Sequence, residues 1–252
     1  MKGMIIAANW KTYVESTARA KKLLASAKRL AVHAKQDVVL APPAPFLGML
    51  AAGNRSKVAF AVQDVSTETG GAHTGAVTAA AAREAGATHA IVGHSERRAA
   101  GDDNATVALK LQHILAQGMV PILCIGEHTR DDQARYLTFL REEIASAFGP
   151  LSQKERATII IAYEPIWAIG KTAADSISPN DLTEMILYIR KALAEFLLGE
   201  NVATARVLYG GSVEPGNARE LAEGSGIDGF LVGHAATDVA SFTALVKAVS
   251  TR

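Results

Sequence analysis

The sequence predicts an α/β protein folded as a single closed (β/α)8 barrel. Three observations predict this class: a length of 252 residues, eight short apolar runs rich in valine and isoleucine, and helical patterns between them. A barrel of this kind commonly fills about 250 residues as one unit. Hydrophobic residues make up 49% of the chain, enough for a large core, and a charged share of 20% is too low for a disordered chain. We therefore expect one domain over residues 1–252.

The eight apolar runs are the predicted strands. Each ends in a polar residue or in glycine, and continuous rather than alternating apolar runs are typical of parallel strands covered on both faces. In chain order they are MIIAANWK from Met4, DVVLAPP from Asp37, VAFAVQD from Val58, THAIVGH from Thr88, MVPILCIGE from Met119, ATIIIAYEP from Ala157, ARVLYGG from Ala205 and DGFLVGH from Asp228.

The segments between the runs have the apolar spacing of helices. The clearest begins at Ser178, a predicted N-cap, with Pro179 in the first turn and Gly199 after the last apolar residue. Further helices are predicted near 17–31, 43–53, 77–86, 103–117, 130–148, 214–224 and 236–250. An open doubly wound sheet is the alternative architecture, but eight regular units in this length favour the barrel.

Charge and cysteine content exclude several kinds of partner. Lysine and arginine number 26 against 25 acidic residues, and no basic run exceeds two, so neither nucleic acid nor an anionic membrane is expected as partner. The lone Cys124 cannot form an intrachain disulfide, which predicts a reducing, cytoplasmic location. No stretch of about 18 apolar residues occurs, so we expect no membrane span or secretion signal.

In such a barrel the chemistry lies at the carboxyl ends of the strands. Glu164 ends the most apolar strand, and Pro165 keeps it extended. Strand alternation places its side chain on the face of Ile160 and Ala162, inside the barrel if those two line it. A carboxylate in such dry surroundings holds a proton more readily than one in water, which suits a general base near neutral pH. The alternative is a solvated glutamate at a loop mouth.

Two further polar residues follow strands. His94 opens HSERR, in which Ser95 is expected to cap a short helix; the positive helix end would keep the imidazole neutral and able to donate to a developing oxyanion. A hydrogen-bonded structural histidine is the alternative. Lys11 follows the first strand, where it is either an ordinary surface lysine or a cation of the site.

Glycine-bearing turns predict a phosphate site. YGGS from Tyr209 and LVGH from Leu231 close strands seven and eight, where barrels commonly bind phosphate through main-chain N–H groups, although either could be a simple tight turn. Ile169 and Gly170 offer a third set of donors. No nucleotide-binding glycine motif occurs. A solvated helix start is favoured over a metal site for the acidic cluster, so no metal is expected; its members are Glu127, His128, Asp131 and Asp132.

Six motifs, in order from the first strand to the last, resemble the triosephosphate isomerase family. They are NWK at Asn9, VGHSERR at Val92, CIGE at Cys124, AYEPIWAIG at Ala162, YGGSV at Tyr209 and DGFLVG at Asp228. The resemblance implies a TIM barrel and a cofactor-free isomerase that interconverts dihydroxyacetone phosphate and glyceraldehyde 3-phosphate through an enediolate. Isomerase chemistry on a tetrulose phosphate, a Schiff-base aldolase using Lys11 and a non-enzymatic scaffold are the alternatives.

The resemblance also implies roles for residues. Glu164 would be the base, and His94 the neutral electrophile. Lys11 would offset the negative charge, with Glu96 positioning it, and Asn9 would hold the substrate oxygen. The phosphate would be held by main-chain N–H groups of Gly170, Ser212, Gly233 and His234. Closure of the PIWAIG loop would exclude water from the enediolate.

The segment GGAHTG at Gly70 resembles the loop by which subunits of this family reach into a neighbour, with Thr74 at the tip. A homodimer is therefore expected, and a free exposed loop is the alternative. The sequence departs from the family where Lys171 directly follows Gly170, which predicts altered loop closure. It also departs at His234, where glycine or arginine is usual, and at Ala76 and 100–103, which bear on the interface.

Overall fold

Eight parallel strands lie edge to edge in chain order, and the eighth pairs with the first. The computed structural model describes residues 3–33, 36–169 and 177–250. The closed barrel confirms the predicted (β/α)8 class, and the alternative of an open doubly wound sheet is wrong. All eight predicted strands are present: β1 Ile5–Asn9, β2 Asp37–Ala41, β3 Ala59–Val62, β4 His89–Val92, β5 Val120–Ile125, β6 Ile160–Tyr163, β7 Arg206–Tyr209 and β8 Gly229–Val232.

Helices surround the strands. In the described ranges they are α1 Thr17–His33, α2 Ala44–Ala51, α3 Ala79–Glu84, α4 Ser95–Ala99, α5 Asn104–Ala116, α6 Arg135–Phe148, α7 Gln153–Arg156, α8 Pro179–Leu193, α9 Glu200–Thr204, α10 Ala218–Ala222 and α11 Val239–Ala248. The cap at Ser178 is confirmed, since its side chain accepts the N–H of Asp181. The helix predicted over 130–148 begins only at α6, because the Asp131 side chain caps the main chain of a preceding turn in which Ala134 is left-handed.

The core has two layers, as the strand alternation predicts. Larger side chains such as Trp10, Tyr163 and Phe230 fill the space between strands and helices. Small and branched side chains fill the barrel interior, so a ligand must bind at an end of the barrel rather than within it. These interior residues are Ile5, Ala7, Val39, Ala41, Ala61, Ile91, Ile122, Cys124, Ile160, Ala162, Leu208 and Leu231. Within the described residues, no helix has the length and apolar character needed to cross a membrane.

Candidate active site

The carboxyl end of the barrel interior is a polar layer. In or just after seven of the strands, one residue stands two positions beyond the last apolar interior residue, where regular alternation would face inward. Four of these residues are glycines, and two of them, Gly210 and Gly233, line a cavity beside polar side chains. The layer consists of Asn9, Gln63, Gly93, Gly126, Glu164, Gly210 and Gly233. Asn9 and Glu164 give this cavity hydrogen-bonding side chains, and Gln63 lines the cavity that adjoins it.

Glu164 lies where the sequence places it, directly after β6 and on the interior face that Ile160 and Ala162 share. Its main-chain N–H donates to the carbonyl of Ile125 at 2.8 Å, which extends the strand pairing to the site. Only 2% of the residue is exposed. A glutamate solvated at a loop mouth is therefore excluded.

His94 faces the carboxylate of Glu164, with 3.3 Å between His94 Nε2 and Glu164 Oε1. Its Nδ1 accepts the main-chain N–H of Glu96 at 3.2 Å, so this nitrogen carries no proton and Nε2 carries the N–H of the ring. His94 is therefore the N-cap of α4, and the expectation that Ser95 caps this helix was wrong. The main-chain N–H of Ser95 instead donates to Glu164 Oε2 at 3.0 Å.

Lys11 adopts a left-handed backbone conformation, with φ of 46°, that is uncommon for a residue with a Cβ. Hydrogen bonds at both ends hold it there. Its N–H donates to Asn9 Oδ1 at 3.0 Å, and its carbonyl accepts Gln63 Nε2 at 2.9 Å. Lys11 Nζ lies 2.6 Å from Glu96 Oε1, which confirms that these two residues meet. No role for Gln63 is predicted from the sequence, although its place at the end of a strand is a signal.

The two glycine turns border the same cavity as Glu164 and His94. It has a volume of about 320 Å³, at the small end of the usual range for ligand sites. A Cβ at Gly233 would stand 3.6 Å from Lys11 Cε, so the turn after β8 lies beside the lysine. Of the predicted phosphate-site residues, Ser212, Gly233 and His234 line the cavity, and Gly170 lies outside the described residues, as does the altered stretch after it.

His234 begins a short 3-10 turn, and its backbone is not left-handed. The strain that a histidine would suffer in a left-handed position is therefore not present. The exposed imidazole lies edge-on to the ring of Tyr13, and its Nδ1 is 3.7 Å from Glu214 Oε1. The side chain thus stands at the rim of the cavity, while the main chain belongs to the turn.

Glu127 differs from its prediction. It is buried rather than part of a solvated helix start, and its Oε1 accepts the Tyr163 hydroxyl and the Trp167 indole N–H, both at 2.8 Å. Arg130 also donates to this oxygen, at 3.2 Å, and its guanidinium lies 4.9 Å from the Trp167 ring. Burial and the neighbouring Glu127 raise the pKa of Tyr163. These contacts fix the chain between the end of β6 and Trp167. Among the described residues, no three potential metal ligands are grouped.

Comparison with known proteins gives consistent results. The sequence model of the triosephosphate isomerase family matches residues 4–249. The chain is 37% identical over 252 residues to a triosephosphate isomerase of Moorella thermoacetica, covering 98% of this chain and 99% of the relative. It is 37% identical over 253 residues to the triosephosphate isomerase of Herminiimonas arsenicoxydans, covering 98% of this chain and 100% of that relative. It is 35% identical over 254 residues to the triosephosphate isomerase of Thermus thermophilus, covering 98% of this chain and 99% of that relative.

Proposed function

The chain belongs to the triosephosphate isomerase family, and from this premise we propose that Glu164, His94 and Lys11 carry out its reaction. The protein is an intramolecular aldose–ketose isomerase that interconverts dihydroxyacetone phosphate and glyceraldehyde 3-phosphate. The single observation that supports the assignment of roles is the 3.3 Å approach of His94 Nε2 to Glu164 Oε1 inside one small cavity.

In the proposed mechanism, Glu164 takes a proton from C1 of the ketose. The electron pair of that bond forms the C1–C2 double bond, and the C2 oxygen gains the negative charge. His94 donates its Nε2–H to this oxygen and then moves a proton between the two oxygens of the enediolate. Glu164 returns its proton to C2, which completes the aldose. A fixed donor in a dry cavity stabilises such developing charge without reorganisation.

Lys11 is proposed to act as a fixed positive charge. Its ammonium group is ion-paired with Glu96 at 2.6 Å and lies beside the turn at Gly233. This position suits a charge that attracts the phosphorylated substrate and stabilises the enediolate. A Schiff-base aldolase would need an uncharged amine as nucleophile, and it would leave the paired Glu164 and His94 without a function. The names of the relatives give no support to the tetrulose phosphate alternative.

We further propose that main-chain N–H groups of the turns at Ser212, Gly233 and His234 hold the phosphate. These turns follow β7 and β8, and they close the cavity on the side across the barrel from His94. Asn9, whose side chain is anchored by the Lys11 N–H, is proposed to hold a substrate oxygen. Gly170 stays a predicted phosphate donor.

The test measures kcat and KM in both directions with coupled dehydrogenases. Glu164→Gln keeps the shape of the side chain and removes the base, so kcat should fall by about 10²–10⁴-fold. Glu164→Asp withdraws the carboxylate by one methylene and should cost roughly 10²-fold. Glu184→Gln, on the exposed face of α8, is the matched control and should leave both constants unchanged. Full activity of Glu164→Gln would refute the assignment.

We also infer that the protein is a homodimer in which the loop at 70–75 enters the neighbouring subunit. The loop residues, including Thr74, are all exposed in one protomer. A second cavity of about 810 Å³ adjoins Lys11 on the side away from the phosphate turns, and its walls include Gln63, Glu96 and Arg97. A polar cavity that shares Lys11 with the active site supports the insertion of a partner loop there.

Sedimentation velocity tests this assembly. The wild-type protein should sediment as a dimer, and Thr74→Arg should shift it toward monomer and lower kcat/KM. Thr158→Arg, at an exposed position before β6, is the control. A fully active monomer at micromolar concentration would contradict the proposal.

Two broader predictions complete the proposal. One domain over residues 1–252 is supported by strands that run from Ile5 to Val232 around a single barrel. A cytoplasmic location is supported by the single, buried Cys124, because a thiol without a disulfide partner suits a reducing compartment. Limited proteolysis and cell fractionation, respectively, test these two statements.

A further inference from the structure

A buried acidic side chain reaches the active site from the helix behind it. Glu143 lies on α6 and is 1% exposed. Its Oε2 accepts the main-chain N–H of Gly126 at 2.9 Å, and its Oε1 lies 3.1 Å from a guanidinium nitrogen of Arg98. The adjacent Glu142 is exposed, and two neighbouring glutamates in a sequence do not by themselves show which one is buried. A buried carboxylate is costly unless its partners compensate for lost hydration, which makes these two contacts important.

The first contact supports Glu164. Gly126 packs directly against the main chain of Glu164, because a Cβ built on Gly126 would stand 1.8 Å from the Glu164 carbonyl oxygen. Ile125, the residue before Gly126, accepts the N–H of Glu164 at 2.8 Å. The position of the Gly126 peptide therefore determines the position of the Glu164 main chain. Glu143 holds that peptide from the opposite side.

The second contact supports His94. Arg98 Nε donates to the carbonyl of Gly93 at 2.9 Å, and Arg98 also donates to Asn104 Oδ1 at 2.8 Å. Gly93 has φ of 71° and immediately precedes His94, so its carbonyl lies in the turn that presents the imidazole. The Arg98 guanidinium therefore joins this turn to Glu143.

We propose that Glu143 is a positioning residue for the isomerase: its ionised carboxylate, between Arg98 and the Gly126 N–H, holds the main chains of His94 and Glu164 in fixed positions relative to each other. The inference rests on the roles proposed above for His94 and Glu164. It assigns a function to a buried charged pair that touches neither the cavity nor the substrate.

The charge of Glu143 makes the proposal testable by pH. Burial raises its pKa to about 7, although Arg98 and the Gly126 N–H act in the opposite direction. Glu164 and Glu127, the carboxylates that face it from the ends of β6 and β5, raise the pKa further, and the Cys124 thiol is also nearby. The carboxylate is therefore ionised above about pH 7, and it loses its charge on acidification through neutrality. Protonation removes the negative partner of Arg98, so positioning should weaken as the pH falls through this range.

The experiment compares kcat and KM of the wild type, Glu143→Gln and Glu143→Asp between pH 5.5 and pH 9. Glutamine cannot ionise and has one acceptor oxygen for two contacts. We expect its kcat to be about tenfold lower at pH 8, with KM within about twofold, and to approach the wild-type value at pH 6. Aspartate keeps an ionisable group, so its profile should keep a step near neutral pH. The substrate phosphate titrates alike in all three proteins, so its contribution cancels in the ratio.

Glu142→Gln is the matched control on the exposed face of α6, and its profile should equal that of the wild type. Circular dichroism and urea unfolding verify that each variant is folded. A Glu143→Gln protein with kcat within twofold of the wild type at every pH overturns the proposal. If Glu143→Gln does not fold, the profile of Glu143→Asp decides: a missing step near neutral pH also overturns it. If Glu164→Gln loses activity while Glu143→Gln keeps the kcat of the wild type, this inference alone is refuted. If Glu164→Gln is active, the proposed function is refuted.

Discussion

Gly126→Ala tests how tightly the main chain of Glu164 is held. The added Cβ would stand 1.8 Å from the Glu164 carbonyl oxygen and 2.6 Å from its carbonyl carbon, both main-chain atoms. Cβ contacts below 3.0 Å essentially never occur, so the Glu164 carbonyl must retreat by about 1 Å or the Gly126 peptide must rotate. Either movement disturbs the 2.8 Å hydrogen bond from Glu164 to Ile125.

A displacement of this size has two consequences. A shift of about 1 Å in the base costs roughly 10²-fold in kcat. The forced overpacking should also lower the free energy of unfolding by about 1–3 kcal/mol. Kinetic constants by the coupled assay and urea unfolding at one protein concentration measure the two effects separately.

Gly48→Ala in α2 is the control for adding a methyl group. Its Cβ would lie 3.8 Å from the Ala85 Cβ, an ordinary contact. The control should leave kcat unchanged and raise stability by about 0.5–1 kcal/mol, because alanine is the better helix former. If Gly126→Ala keeps kcat within about threefold of the wild type, the close packing of Gly126 against the Glu164 main chain is not what positions the base.

Two predictions concern stability. Burial lowers the pKa of His89 to about 4, so the unfolded chain binds a proton at this site at a higher pH than the folded chain does. Stability should therefore fall on acidification from about pH 6.5 to pH 4, by on the order of 3 kcal/mol, and urea unfolding of His89→Gln should show a flatter dependence. Lys110 is buried with Nζ 2.9 Å from Asp64 and 2.6 Å from Asp102. Lys110→Met should lower the unfolding free energy by about 3–5 kcal/mol, and adding Asp64→Asn should restore part of it; an equal loss in both variants would argue against charge as the cause.

Much of the architecture was predictable because its signals are local. Continuous apolar runs identified every strand, and the Ser178 cap depends on residues within one helical turn. The places of Glu164 and His94 followed from a general property of the barrel, in which strand ends converge. Boundaries were less accurate where two local signals compete. In α4 both His94 and Ser95 are able to cap, and His94 is the residue that does so, while the Ser95 N–H donates to Glu164, 69 residues further along the chain.

The remaining features were decided by contacts between distant parts of the chain. Glu127 is predicted to be solvated because acidic residues follow it, yet it is buried and accepts hydrogen bonds from Tyr163 and Trp167. Glu142 and Glu143 are chemically the same in sequence, and only the packing of α6 against the barrel buries one of them.

The sequence by itself therefore determined the strands and the residues at their ends, because these follow from periodicity over a few residues, and it determined the barrel class through the number and spacing of the units. Only the tertiary structure decided the approach of His94 Nε2 to Glu164 Oε1, the clamp of Gln63 on the strained Lys11 and the burial of Glu143 against Gly126. Each of these depends on a distance of about 3 Å between groups that are not neighbours in the chain. Such distances are set by how all eight strands close together, which no local pattern encodes.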